Sequence, residues 1–197
     1  MSKQIDAYFA TLGALPGAVR CHDGGGTELS LDEAIGRFVT LARETHESGN
    51  KLIFIGNGGS AGIASHMAID YSKNGNIRSQ AFNDSSALTC LGNDLGYENV
   101  FSKQIELHSR PDDLLVAISS SGNSENILNG VSQAREAGCK VIALSGFAED
   151  NRLRGLGDIN FYVPSQEYGF VEIIHLALCH AVVDFAMGWR DDKPLRS

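Results

Sequence analysis

From Lys51 onward the chain alternates short unbroken apolar runs with longer stretches whose apolar residues recur at helical spacing. The runs are Leu52–Ile55, a weaker Ala81–Phe82, Leu114–Ile118, Val141–Leu144 and Ile159–Val163. Strands buried on both faces have this texture, and their alternation with helices calls for crossover units and a parallel sheet. Helices are expected between the runs, near Ser60–Tyr71, Tyr97–Leu107, Ser124–Ala137 and Tyr168–Trp189. Ahead of them lie an amphipathic start from Ile5 to Leu15 and a flexible break, HDGGGT at His22–Thr27, with Gly24–Gly26 as a hinge. Ser30 and Glu33 then have capping-box spacing and open a helix to about Ser48, with Ala34, Ile35, Phe38, Leu41 and Ala42 as its core-facing stripe. The pattern predicts a five-stranded α/β sandwich with an extra N-terminal helical pair. It forms one domain over 1–197, divided into N-terminal helices (1–49), a sheet core (50–165) and a C-terminal helix (166–190) before a polar tail.

Composition narrows the class. With 43% hydrophobic and 20% charged residues in 197, the chain is ordinary globular material. Sixteen Lys and Arg against 24 Asp and Glu give a formal charge of −8, which argues against a nucleic-acid coat but leaves room for a local phosphate site. The four cysteines, Cys21, Cys90, Cys139 and Cys179, fall in four separate segments, so neither a disulfide framework nor a thiolate zinc knot is expected. The start MSKQIDAYFA lacks a signal-peptide core, and no stretch approaches the roughly 20 apolar residues of a membrane span. A soluble cytoplasmic protein that binds neither nucleic acid nor membrane is expected. Glycine is in excess, 22 residues against 4 prolines, which suggests turns where the backbone comes close to a ligand.

Two turns fit that role. Gly56-Asn57-Gly58-Gly59-Ser60 follows the strand LIFI and opens a helix, whose first amides are unsatisfied and whose dipole end is positive. It is neither a Walker loop nor a GxGxxG fingerprint, so no nucleotide cofactor is implied. Ser119-Ser120-Ser121-Gly122-Asn123-Ser124 follows LLVAI and sets several hydroxyls at the next helix start, as a phosphate monoester requires. Taken alone, the first also fits an ordinary strand-to-helix turn, and Ser124 a plain helix cap. Gly92 and Gly96, in CLGNDLG at Cys90–Gly96, are assigned to a third ligand-facing turn.

GNGGS, His66 six residues beyond Ser60, CLGNDLG, SSSGNS and the C-terminal EIIHLALCH together make the chain resemble the sugar isomerase (SIS) domain family, and within it the phosphoheptose isomerases. The resemblance runs from about Ser30 to Phe185. It implies a flavodoxin-like five-stranded parallel sheet sandwiched by helices, with an N-terminal helical extension, assembled as a homotetramer with active sites between subunits. It further implies that Ser119, Ser120, Ser121 and Ser124 hold a substrate phosphate. Asn57, Gly58, Gly59 and Ser60 line the sugar, Asp94 sits beside it, and Asp70, Glu172 and His180 complete the site. Asp70 stands where the family usually has glutamate, Glu172 where it has glutamine, and Asn74 where an arginine is expected beside the phosphate.

The reaction so implied is ketose–aldose isomerisation of sedoheptulose 7-phosphate through an enediol, feeding nucleotide-activated heptose synthesis. It needs a base on one carbon and an acid near the oxygens, roles that fall to Asp70 and His180. The same residues suit a metal. His66 and Asp70 share a helix face, imidazole and carboxylate make a plausible zinc shell, and Glu172 and His180 would complete four ligands. Eight residues of helix span about 12 Å, so Glu172 and His180 reach one ion only if different subunits contribute. His175, one turn after Glu172, either flanks the site or packs. Isomerisation of an octulose 8-phosphate, a non-catalytic SIS protein that binds the replication initiator, and a sugar-phosphate sensor are the competing readings.

Overall fold

The computed structural model describes residues 2–190, so the polar tail at 191–197 lies outside the described residues. The chain runs α1 (Ser2–Ala14), β1 (Arg20–Asp23), β2 (Glu28–Leu29), α2 (Leu31–Glu47), β3 (Leu52–Gly56), α3 (Gly59–Lys73), β4 (Ser79–Ala81), α4 (Ser85–Leu95), α5 (Val100–His108), β5 (Leu114–Ser119), α6 (Glu125–Glu136), β6 (Lys140–Ser145), β7 (Ile159–Tyr162) and α7 (Tyr168–Ala186). Among the described residues one sheet forms, in the order β2-β1-β7-β6-β5-β3-β4. Its five parallel strands have the flavodoxin-like order with helices on both faces.

Alternation along the central strands explains the two layers. Leu52 and Phe54 of β3, with Leu114, Val116 and Ile118 of β5, face α2, α3 and α7, where Phe38, Tyr71 and Val182 meet them. Ile53, Ile55, Leu115 and Ala117 face α5 and α6, against Phe101, Ile105 and Val131. A slip of one residue between β3 and β5 would turn both sets inside out. Asp113, just ahead of β5, guards against it. Its carboxylate accepts from the Lys51 backbone N–H at 2.9 Å, from Lys51 Nζ at 2.8 Å and from the Arg110 N–H at 2.9 Å, and its side chain is only 1% exposed.

Several expectations are corrected. The HDGGGT segment is a fixed turn, not a hinge. β1 and β2 form an antiparallel hairpin across it, and Asp23 Oδ1 accepts from the N–H groups of Gly25 and Thr27, both at 2.9 Å. β1 pairs antiparallel with β7, so the hairpin adds two strands to the five expected. CLGNDLG is mostly helix, because Gly92 lies inside α4, a helix capped by the Asp84 side chain, and only Gly96, at φ +85°, stands in the turn that ends it. The helix expected from Tyr97 opens instead with a 3₁₀ turn over Tyr97–Asn99. Finally, α7, at 19 residues, is long and apolar enough to cross a membrane. It is a core helix here, with Val171, Ile174, Leu178, Val182 and Val183 buried and the Tyr71 hydroxyl donating to the Cys179 carbonyl at 3.1 Å.

The capping box at Ser30 is formed as the spacing predicts, with Glu33 N–H on Ser30 Oγ at 3.2 Å and Ser30 N–H on Glu33 Oε2 at 2.9 Å. Removing the register lock is the more severe perturbation, since it leaves the Lys51 ammonium buried without its counter-charge. Asp113→Ala is expected to cost about 3–5 kcal/mol, measured by urea unfolding; a loss below about 1 kcal/mol would show that packing alone holds the register.

Candidate active site

The register that pairs Gly56 with Ile118 delivers the two glycine- and serine-rich turns side by side at the carboxyl ends of β3 and β5. They enclose a cavity of about 220 Å³ lined by Asn57, Gly58, Gly59, Ser60, Ser119, Ser120, Ser121, Ser124, Glu172 and Tyr168. Nine of these ten were singled out from the sequence. The tenth, Tyr168, stands with its ring edge against Phe147 at 4.8 Å between centroids.

Within the serine turn the hydroxyls divide. Ser119 Oγ accepts from the Gly122 N–H at 3.1 Å and Ser121 Oγ from the Asn123 N–H at 3.3 Å, which shapes the turn. Ser124 occupies the N-cap position of α6 but makes no capping bond with its side chain. Ser120 Oγ is buried with no partner. A buried hydroxyl with no acceptor or donor is costly, and one that opens onto a polar cavity at a helix start points to an oxygen-rich anion. Gly122 adopts φ +64°, and a Cβ there would overlap the Asn151 side chain. Asn151 is buried and braces the turn from behind, donating to the Gly146 and Ala148 carbonyls at 3.1 and 2.8 Å and accepting from the Arg154 N–H at 3.0 Å. Asn151 also caps a 3₁₀ turn over Arg152–Gly155, a local role that gives no hint of its contact with the serine turn.

Asn57 is tied as firmly. Its amide exchanges two hydrogen bonds with Asn126, at 2.8 and 2.9 Å, and its Oδ1 also accepts from the Tyr97 hydroxyl at 3.0 Å. Neither Asn126 nor Tyr97 carried a recognisable motif.

α3 and α7 run side by side in the same direction. Glu172 meets the start of α3, where a Cβ on Gly59 would overlap its carboxylate. About two turns further along both helices, His180 meets His66 and Asp70. His66 Nε2 and His180 Nδ1 stand 3.5 and 3.7 Å from Asp70 Oδ2, and the two imidazoles lie edge to face at 5.3 Å. One ligand atom from each of the three lies within 4.8 Å of the others. The structure thus brings together three of the four anticipated metal ligands, while Glu172 belongs to the serine-lined cavity. Two imidazole nitrogens and a carboxylate oxygen suit zinc and leave a coordination position open. The cluster faces outward, with the His66 side chain 51% exposed.

Asp94 is not brought to the cavity in this chain. It lies on the exposed face of α4, bonded to Asn93 at 2.8 Å and approached by the Cys90 thiol at 3.6 Å. Asn74 merely ends α3. His175 packs, completely buried, with Nε2 3.1 Å from the Ser145 carbonyl and Nδ1 without a partner. Burial pushes its pKa down to about 4 against the partial opposition of that carbonyl, so it is neutral in the folded state. The unfolded chain binds this proton more readily, so stability is full above the ordinary histidine value, falls as pH drops from about 6.5 and bottoms out below about 4. Urea unfolding across this range should show a His175 contribution on the order of 3 kcal/mol, absent in His175→Gln; an identical slope in both proteins would contradict the buried neutral imidazole.

Comparison with known proteins fits this geometry. The SIS domain family model matches residues 27–146. A phosphoheptose isomerase of Aliarcobacter butzleri is 36% identical over 159 residues, covering 78% of this chain and 84% of its own. The solved phosphoheptose isomerase of Neisseria gonorrhoeae superposes with a TM-score of 0.80 at 31% identity, covering 94% of this chain and 98% of that one. That of Francisella tularensis superposes with a TM-score of 0.80 at 28% identity, covering 93% and 96%.

Proposed function

We infer that this chain, which belongs to the SIS-domain family and within it to the phosphoheptose isomerases, interconverts sedoheptulose 7-phosphate and D-glycero-D-manno-heptose 7-phosphate on the route to nucleotide-activated heptose. The observation that carries the phosphate end is the pair of uncommitted serines. Ser120 Oγ has no partner and Ser124 makes no cap bond, while α6 directs its first amides at the same cavity. Hydroxyls, amides and a helix end bind a dianion without a basic side chain, which reconciles the site with a net charge of −8.

Asn57 and Glu172 stand beside the phosphate cradle and orient the sugar hydroxyls, with Gly58, Gly59 and Ser60 allowing close approach. Asp70 and His180 move the proton between the adjacent carbons. Each is part-exposed and within hydrogen-bonding reach of a shared position beside His66, as an acid–base pair must be. His66, Asp70 and His180 also hold zinc, and such an ion, when bound, polarises carbonyl and hydroxyl oxygens.

The working unit is a homotetramer with the sites between subunits. α1 buries none of its own residues and exposes Ile5, Tyr8 and Phe9, and α7 exposes Ile173, Phe185 and, just beyond its end, Trp189. Between α2 and α7 lies a further apolar groove lined by Ile35, Ala177, Ala181 and Phe185. Apolar surface of this extent is covered in solution by further copies. The four unpaired cysteines suit the reducing cytoplasm.

The pure protein incubated with sedoheptulose 7-phosphate should form the aldose, resolved chromatographically; no turnover with or without added zinc would overturn the reading. His180→Ala should lower kcat by at least about 100-fold while inorganic phosphate still competes for the cavity, and full activity in that variant would remove His180 from proton transfer. Metal analysis of the purified protein should find zinc, lost in His66→Ala. Sedimentation should report the mass of four chains.

A further inference from the structure

The Asn57 amide has four hydrogen-bonding positions, two donors and two acceptors. The protein itself occupies three. Oδ1 accepts from Asn126 Nδ2 at 2.9 Å and from the Tyr97 hydroxyl at 3.0 Å, and one Nδ2 hydrogen goes to Asn126 Oδ1 at 2.8 Å. One N–H remains, on a residue that lines the cavity. Asn126 is only 3% exposed and lies in the first turn of α6, directly after the serine turn. Tyr97 belongs to the 3₁₀ turn between α4 and α5. The two cavity turns are therefore joined through side chains 69 residues apart in sequence.

On the isomerase reading above, we propose that Asn126, assisted by Tyr97, is a positioning residue. It locks the Asn57 amide so that a single N–H donor is presented to the sugar oxygens at a fixed separation from the phosphate cradle. Neither residue touches the reacting atoms; both act through Asn57. The lock matters because the substrate is gripped at its phosphate and reacts elsewhere along its length. Misplacement by about 1 Å at a distance from the chemistry is enough to cost on the order of 100-fold in rate. A free asparagine side chain on a glycine-flanked turn would rotate, and the pairing prevents it.

The coupling is tested by a double-mutant cycle in the full-length enzyme, using turnover of sedoheptulose 7-phosphate and competition by inorganic phosphate as separate readouts. Asn126→Ala is expected to lower kcat/KM by about 30- to 100-fold with the phosphate inhibition constant within about twofold of wild type. Tyr97→Phe is expected to cause a smaller loss of about three- to tenfold. In an Asn57→Ala background, Asn126→Ala should cost almost nothing further, because the group it positions is gone. Losses that multiply in the double variant, or an inhibition constant weakened in parallel with kcat/KM, would assign Asn126 to the general fold of the turn and overturn the proposal. If Asn126→Ala fails to fold, Asn126→Asp, which keeps the shape and removes the donor to Asn57 Oδ1, takes its place with the same expected pattern. Unchanged kinetics in either variant would also overturn it. An inactive wild-type enzyme would instead overturn the isomerase reading and this inference with it, and is told apart by that control alone.

Discussion

The ion pair between Lys51 and Asp113 sits at the opposite end of the sheet from the cavity, yet the cavity depends on it. One carboxylate binds the backbone and the ammonium of Lys51, so β3 and β5 start flush. Strands that start flush in a parallel sheet finish flush, and Gly56 arrives opposite Ile118. The glycine turn after β3 and the serine turn after β5 then emerge as neighbours, and α3 and α6 begin at one shared cavity. The same register sorts Leu52 and Phe54 to one face and Ile53 and Ile55 to the other, so core packing and site geometry rest on a single alignment.

How much of this was visible in the sequence depended on how local the cause was. β3, β5 and β6 announced themselves because central parallel strands are buried on both faces and read as continuous apolar runs. The α2 start was equally plain, its capping box being complete within four residues. α4 was missed for the converse reason. None of its residues is fully buried, its apolar side is short, with only Leu88 and Leu91 packed against the core, and Gly92 lies within it. The hairpin was missed because β1 reads Arg-Cys-His-Asp with only Cys21 fully buried, and because three consecutive glycines look mobile until Asp23 is seen to bind across them.

For the site, the sequence showed the parts and concealed their assembly. Both turns were legible as strand-to-helix transitions rich in small residues. Helical spacing placed His66 and Asp70 on one face and set Glu172 and His180 about 12 Å apart along α7, and the structure accordingly separates those two. What spacing could not show was which helix lies beside which, and so that His180 joins Asp70 while Glu172 joins Gly59. Asn126 and Asn151 were invisible on the same ground. Each acts on a turn that it does not belong to, and only tertiary packing creates the relation.

The hairpin in place of the expected hinge also decides how the sheet ends. It caps the flank of β7, and among the described residues the sheet then ends in β2, of two residues, on one side and β4, of three, on the other. Borders this short offer few free backbone amides and carbonyls to a neighbouring chain, which guards against runaway strand pairing. Contact between chains through strand edges is thereby disfavoured, and what apolar surface the molecule exposes lies mostly on its helices.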